Sequence, residues 1–199
     1  MKTQAIAIFT VLVMVFGLGN TTQAAVNYNN NKGVVLTEIS HINKIEIYGN
    51  VKLYVSNGPA DQVKVYNSYY AESALVQSQK GVLRISSYKA EQLEVWVTAK
   101  DLAAITAYDN AEIKSFGNIS SIELEVKLYN TASASLNLEA YRARVTMNDK
   151  SCANLSGTVD EYNLVRSQAS SVNRTNLVAI HTTEILNIAK PKADEYAGL

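Results

Sequence analysis

The feature that most constrains this chain is a near-repeat in its second half. YDNAEIKSFG at 108–117 is followed by YNTASASLN at 129–137, NDKSCANLSG at 148–157 and SQASSVNRT at 167–175. Aligned on Ala111, Ala132, Cys152 and Ala169, these small-residue turns recur at offsets of 21, 20 and 17. Between them run alternating stretches: Ile122, Leu124, Val126 and Leu128; Ala143, Val145 and Met147; Tyr162, Leu164 and Arg166; then Leu177–Ile180 and Ile185–Ile188. Alternation with a period of two marks strands that bury one face. A period near 20, with small residues at a fixed place, predicts the stacked coils of a solenoid, because no single coil can bury its apolar face alone. Ordinary antiparallel hairpins in a sandwich produce the same alternation, so the pattern leaves both architectures open.

The first half repeats the strand signal without the period. Ile45, Ile47 and Gly49 share one face, and Val51, Leu53 and Val55 continue it past Gly49-Asn50. Ser56-Asn57-Gly58 predicts a hairpin turn, since Asn-Gly tolerates positive φ. Val63 and Val65 follow, then an irregular stretch to Gln79, the punctuation of Lys80-Gly81, the run Val82–Ser86, and Leu93, Val95 and Val97. The one helical candidate, Tyr70–Val76, is only two turns long and marginal as a helix. The class is therefore all-β.

Residues 1–24 read as a cleavable signal peptide. Lys2 precedes an apolar run from Ala5 to Leu18, which at about 14 residues is shorter than the roughly 20 needed to span a bilayer. Thr22 and Ala24 supply the small residues for cleavage after Ala24 or one residue later. Residues 25–34, with their asparagine run, form a flexible lead-in. A single domain occupies 35–188, and a polar tail, 189–199, follows, with Pro191 marking the end of the folded region. The expected location is exported: periplasm, cell surface or extracellular, with no transmembrane segment in the mature chain.

Eighteen basic and eighteen acidic residues give a formal net charge of zero. A neutral chain lacks the clustered positive surface that nucleic acid or an anionic membrane demands. Cys152 is the only cysteine, so no disulfide closes within the chain, and its place in the repeat predicts a small buried residue. His41 and His181 are 140 residues apart, short of the three or four clustered ligands of a zinc site. No cofactor is expected, and no phosphate loop or nucleophile elbow occurs.

The stretch INKIEIYGNVKLYVSNGPADQVKVY resembles the opening of the head domains of putative auto-transporter adhesins, the head GIN domain family. The matching positions are Ile45, Ile47, Gly49, Val51, Leu53, Val55, Gly58, Val63 and Val65, continuing through Gly81, Val82, Leu83 and Ile85, Leu93–Val97, Leu102 and Ile105. In place of the family's serine-glycine-serine turns this chain carries Asp109-Asn110-Ala111, Asn130-Thr131-Ala132, Lys150-Ser151-Cys152 and Ser167-Gln168-Ala169. The resemblance implies a right-handed single-stranded β-helix-like solenoid, mostly parallel in its C-terminal half, in a secreted or envelope-associated bacterial protein. It brings no catalytic motif.

Aromatic residues are the candidate ligand contacts. Tyr108 and Tyr129 occupy equivalent repeat positions and are expected to stack; Tyr66, Tyr69, Tyr70 and Tyr88 surround the irregular segment; Trp96 faces away from Val95 and Val97. Such rings offer flat apolar surfaces with polar tips. The expected role is non-enzymatic adhesion or surface recognition of a glycan or an envelope protein, by a monomer or a weak dimer. Two alternatives stand beside it. A polysaccharide-acting enzyme would use paired carboxylates such as Asp109 and Asp149, which stacking would set about 10 Å apart. A purely structural envelope component would have no soluble ligand.

Overall fold

The computed structural model describes residues 34–36, 39, 41–66 and 74–187. The expected signal peptide, Tyr69, Tyr70 and the polar tail lie outside the described residues. Twelve strands build one sheet: β1 (Val34–Leu36), β2 (Lys44–Gly49), β3 (Val51–Asn57), β4 (Gln62–Tyr66), β5 (Ala74–Gln79), β6 (Val82–Ser87), β7 (Leu93–Ala99), β8 (Ala104–Ala107), β9 (Glu112–Leu128), β10 (Ser133–Met147), β11 (Cys152–Ser167) and β12 (Ser171–Asn187).

The sheet is a curled, open half-barrel of mixed strand order, not a right-handed single-stranded β-helix solenoid. A solenoid pairs each strand with the strands one period before and after it. Here the order runs β1-β4-β7-β3-β9-β8-β2-β6-β5, with β10, β11 and β12 added in turn onto β9. Three pairings, β1/β4, β4/β7 and β5/β6, are antiparallel. The alternation in the first half records only which face of each strand is buried, and is blind to which strand lies beside which. The expected hairpin at Ser56-Asn57-Gly58 fails for the same reason: β7 lies between β3 and β4, parallel to one and antiparallel to the other. Lys80 and Gly81, with φ of 50° and 81°, do make the tight β5/β6 turn, where positive φ at both central residues matches strand twist.

The curl is visible in β9, which begins beside β3 and ends beside β8. Four-residue turns lead the chain into each of the long strands β9 to β12, and they share one closing hydrogen bond. The amide of the fourth residue reaches the carbonyl of the first at Ala111/Tyr108 (3.2 Å), Ala132/Tyr129 (3.1 Å), Ser151/Asn148 (3.2 Å) and Ser170/Ser167 (3.3 Å). Ala111, Ala132, Ser151 and Ser170 are all buried. The small-residue row therefore passes through Ser151 and Ser170, not through the expected Cys152 and Ala169, which each lie one residue away and are exposed. At the second turn position Asp109, Asn130 and Asp149 adopt φ of 60°, 58° and 54°, a left-handed conformation that short polar side chains tolerate.

Inward-facing residues of successive strands form apolar rows such as Leu124–Ala143–Tyr162 and Val126–Val145–Leu164, all buried. Each large aliphatic side chain so buried contributes about 1.5–3 kcal/mol. Among the described residues no helix is long and apolar enough to cross a membrane.

Two glycines separate crowding from backbone strain. Gly157 (φ 101°) has the Leu138 carbonyl oxygen where a Cβ would go, whereas Gly117 (φ 80°) has open space there. Gly117→Ala should cost about 1–2 kcal/mol in chemical denaturation, the left-handed penalty alone. Gly157→Ala, which must also displace backbone, should cost more than about 3 kcal/mol; equal losses would contradict the packing described. Tyr162 supplies a second test. Its hydroxyl is buried without a hydrogen-bond partner, and burial pushes the phenol up to about 12. The unfolded phenol ionises near 10, so stability should fall as pH rises from about 10 to about 12. In thermal melts, Tyr162→Phe should flatten that decline and match the native protein at neutral pH.

Candidate functional site

Four outward-facing aromatic rings converge on the wall formed by β4, β7, β3 and β9. The register sets Lys64, Trp96, Tyr54 and Lys114 in one line across it. Each is the outward partner of buried neighbours, because side chains alternate along a strand. Tyr54 stacks on Trp96 with centroids 4.4 Å apart and planes 22° apart. Tyr66 meets Trp96 edge-on at 6.2 Å, and Phe116 leans against it at 5.7 Å. Phe116 is 66% exposed and Tyr66 44%, so the group presents a continuous apolar surface to solvent.

Polar groups rim this surface. The Trp96 indole N–H donates to Glu94 Oε1 at 2.8 Å. Lys52 Nζ lies 5.6 Å from the Tyr54 centroid and 3.6 Å from Glu112 Oε2, and Lys114 Nζ is 2.9 Å from Glu112 Oε1. The hydrogen bond from Lys114 holds the Glu112 carboxyl below its ordinary range despite some desolvation. The Glu112 charge in turn pushes the Lys52 ammonium up. The rim thus carries fixed opposite charges beside the rings.

A second aromatic group runs along the corner at the first turn position. Tyr48, Tyr108 and Tyr129 stack with centroids 4.7 and 4.8 Å apart and planes within 9° of parallel. Both faces of Tyr108 are covered by its neighbours, while Tyr48 and Tyr129 are each stacked on one face. Burial, then the charge of Glu46, pushes the Tyr48 phenol up. Glu46 is itself held down, chiefly by its hydrogen bond from Lys44 and then by that from Arg84.

The sequence candidates therefore divide. Tyr66 and Trp96 come together, Tyr108 and Tyr129 come together elsewhere, and exposed Tyr88 lies beside Gly49, outside both groups. Tyr54 and Tyr48 escaped selection although the parity that marks Trp96 also marks them. Phe116 was hidden in a stretch that read as a turn. Asp109 and Asp149 do share a column, but their carboxylates accept the amides of Gly49 (3.1 Å) and Asn130 (2.9 Å) and serve the turns. His41 sits against Asp61 at 3.4 Å. Among the described residues, no three His, Cys, Asp or Glu side chains converge as metal ligands.

A family model described as putative auto-transporter adhesin, head GIN domain, matches residues 41–187. Among solved structures, a putative adhesin from Parabacteroides distasonis is similar over 79% of this chain and 80% of its own, at 14% identity and a TM-score of 0.58. A putative lipid binding protein from the same organism aligns over 79% of each chain, at 12% identity and 0.56. A putative adhesin from Parabacteroides merdae aligns over 79% and 78%, at 13% identity and 0.54. At these identities the likeness shows the fold. Comparison with curated proteins returns no match.

The tyrosine column makes a graded prediction. Tyr108, stacked on both sides, should cost about 1–3 kcal/mol when replaced by alanine, and Tyr129, stacked on one, about half that, since each aromatic contact adds about 0.5–1.5 kcal/mol. Urea denaturation checks the order; equal costs would mean that the stacking stabilises nothing.

Proposed function

The chain belongs to the family of the putative auto-transporter adhesin head GIN domain and is a non-enzymatic, exported adhesin-like domain, and we propose that it binds a glycan through the Trp96 wall. The observation that carries this reading is the exposure of Phe116 and Tyr66 around the Tyr54–Trp96 stack. A pyranose ring has an apolar face that packs on an aromatic ring and hydroxyls that reach outward. The wall supplies the matching pair: exposed ring surface on Phe116 and Tyr66, flanking the half-buried Tyr54–Trp96 stack, and Lys52, Glu94, Glu112 and Lys114 as hydrogen-bonding groups around it. An exposed apolar patch with a polar rim is the form that interaction sites take on soluble proteins.

In this reading residues 1–24 direct export and are removed, and the domain acts at the periplasmic or outer surface of a bacterial envelope. Tyr108, whose two ring faces are occupied by Tyr48 and Tyr129, is assigned to stability, and Tyr129 with it as its stacking partner.

Glycan-panel binding by the purified protein tests the proposal. Selective binding is expected, weakened tenfold or more by Phe116→Ala and by Tyr66→Ala, the equivalent of about 1.4 kcal/mol each. Tyr129→Ala should bind as the native protein does. Absence of binding by folded protein, or equal binding by all three variants, would overturn the assignment.

A further inference from the structure

β12 pairs with β11 along one edge, and among the described residues nothing pairs with the other. The edge strands at the opposite end of the sheet, β1 and β5, have three and six residues; β12 has seventeen. A long unpaired edge is a template for another strand, and proteins that keep such an edge in solvent usually shorten it, bend it or charge its surface. β12 does the reverse outwardly. Val178 (65% exposed), Ile180 (68%) and Ile185 are open to solvent on its outer face, and Leu186, which ends the inward row Leu128–Met147–Arg166, is exposed as well.

The interior is also unfinished here. The row Leu124–Ala143–Tyr162 ends at Thr182, and Val126–Val145–Leu164 ends at Glu184. Arg174 lies 5.9 Å from the Tyr162 ring centroid and 3.1 Å from Glu184, which Arg166 also contacts at 2.7 Å. A cavity of about 310 Å³ opens among Tyr162, Arg174, Leu177, Ala179 and Thr182.

We propose that a second copy of this chain covers this end, its β12 pairing antiparallel with the first about a two-fold axis at Val178. A self-complementary edge used twice meets a partner of its own length, which β1 and β5 cannot provide. Centring on Val178 preserves the facing of the side chains. Leu177 falls opposite the partner's Ala179 on the core side, and Arg174 falls opposite the partner's Thr182. The partner's Glu184 is then diagonal to Arg174, within reach of long side chains, so each arginine meets a carboxylate across the axis. The two Val178 side chains meet on the outside.

Sedimentation equilibrium of the purified protein over a dilution series tests this. A dimer that dissociates on dilution is expected, with its Kd raised tenfold or more by Val178→Lys, which opposes like charges on the axis. Val178 is exposed, so at dilutions where both are monomeric the variant should keep the native melting curve. In a Cys152→Ser background, Val178→Cys should oxidise to a covalent dimer, because directly opposed residues in an antiparallel pair are about 4.5–5.5 Å apart at Cα, within disulfide range. Thr146→Cys in that background should form no covalent dimer. A dimer indifferent to Val178→Lys that forms no cross-link uses another surface and overturns the proposal. A protein monomeric at every concentration also overturns it: rapid β12 amide exchange would then mean a bare edge, and slow exchange an edge covered by residues 188–199.

Discussion

Everything in the second half of this molecule rests on one turn that must fit on top of itself. Thr131 N–H reaches the Asp109 carbonyl and Lys150 N–H reaches that of Asn130, both at 2.9 Å, while Ser133 N–H and Cys152 N–H reach back to Ala111 and Ala132 at 2.9 and 3.0 Å. Hydrogen bonds between adjacent turns hold them one strand spacing apart, about 4.8 Å. A residue acceptable in one turn is therefore acceptable only if its neighbour in the next leaves room for it. The fourth position is confined to alanine and serine, and the second, in the first three turns, to residues that bear a left-handed backbone. The side chains at that second position do more than tolerate the conformation: Asp109, Asn130 and Asp149 each accept the amide of the preceding layer, at 3.1, 3.2 and 2.9 Å. Sequence choice, local conformation and inter-strand bonding are one constraint there.

Stacking at that spacing also sorts the outer surface into columns whose members must be mutually compatible. Flat rings satisfy it, as Tyr48, Tyr108 and Tyr129 do. Charges satisfy it only by alternating. In the column Glu123–Arg142–Glu161, Arg142 lies 3.8 Å from one carboxylate and 2.6 Å from the other, and its hydrogen bond holds the Glu161 carboxyl below the ordinary range. Exposed pairs of this kind add little stability singly. Their effect is on register, because a slip by one strand position would bring neutral or like-charged residues together and turn apolar residues outward.

This explains what could be read in advance and what could not. Burial is a property of a strand's own alternation, so Ile45, Ile47, Leu53, Val55, Val63, Val65, Val95 and Val97 were legible as core, and all are buried. The likeness of Tyr108 to Tyr129 was legible because stacking repeats residue type. Pairing partners were not, since β3 finds β7 and β9 while β4 finds β7 and β1, and alternation is the same whichever neighbour is chosen. Cys152 was misplaced by one residue because serine and cysteine fit a small site equally well by size; only the backbone shows that the turn closes at Ser151. The aromatic wall was half legible. Trp96 and Tyr66 stood out by type, but their meeting depends on strand order.

That dependence makes the wall a product of topology. Had β3 and β4 formed the hairpin their connecting Asn-Gly suggests, Tyr54 would face β4 directly and Trp96 would lie on another strand with no stacking partner beside it. Inserting β7 between them sets Trp96 against Tyr54 on one side and brings the antiparallel β4, with Tyr66, to the other. Adding β9 beyond β3 brings Phe116 from a third direction. Strands from positions 51–57, 62–66, 93–99 and 112–128 must all be in place before the four rings touch. Tyr54 and Trp96, the stacked pair at the centre of the wall, sit on strands paired on both sides, whereas Phe116 projects from the register shift of β9. The interleaved strand order of the N-terminal half thus provides what the regular stack of β9–β12 does not: a place where unlike residues meet without having to resemble the layer beneath them.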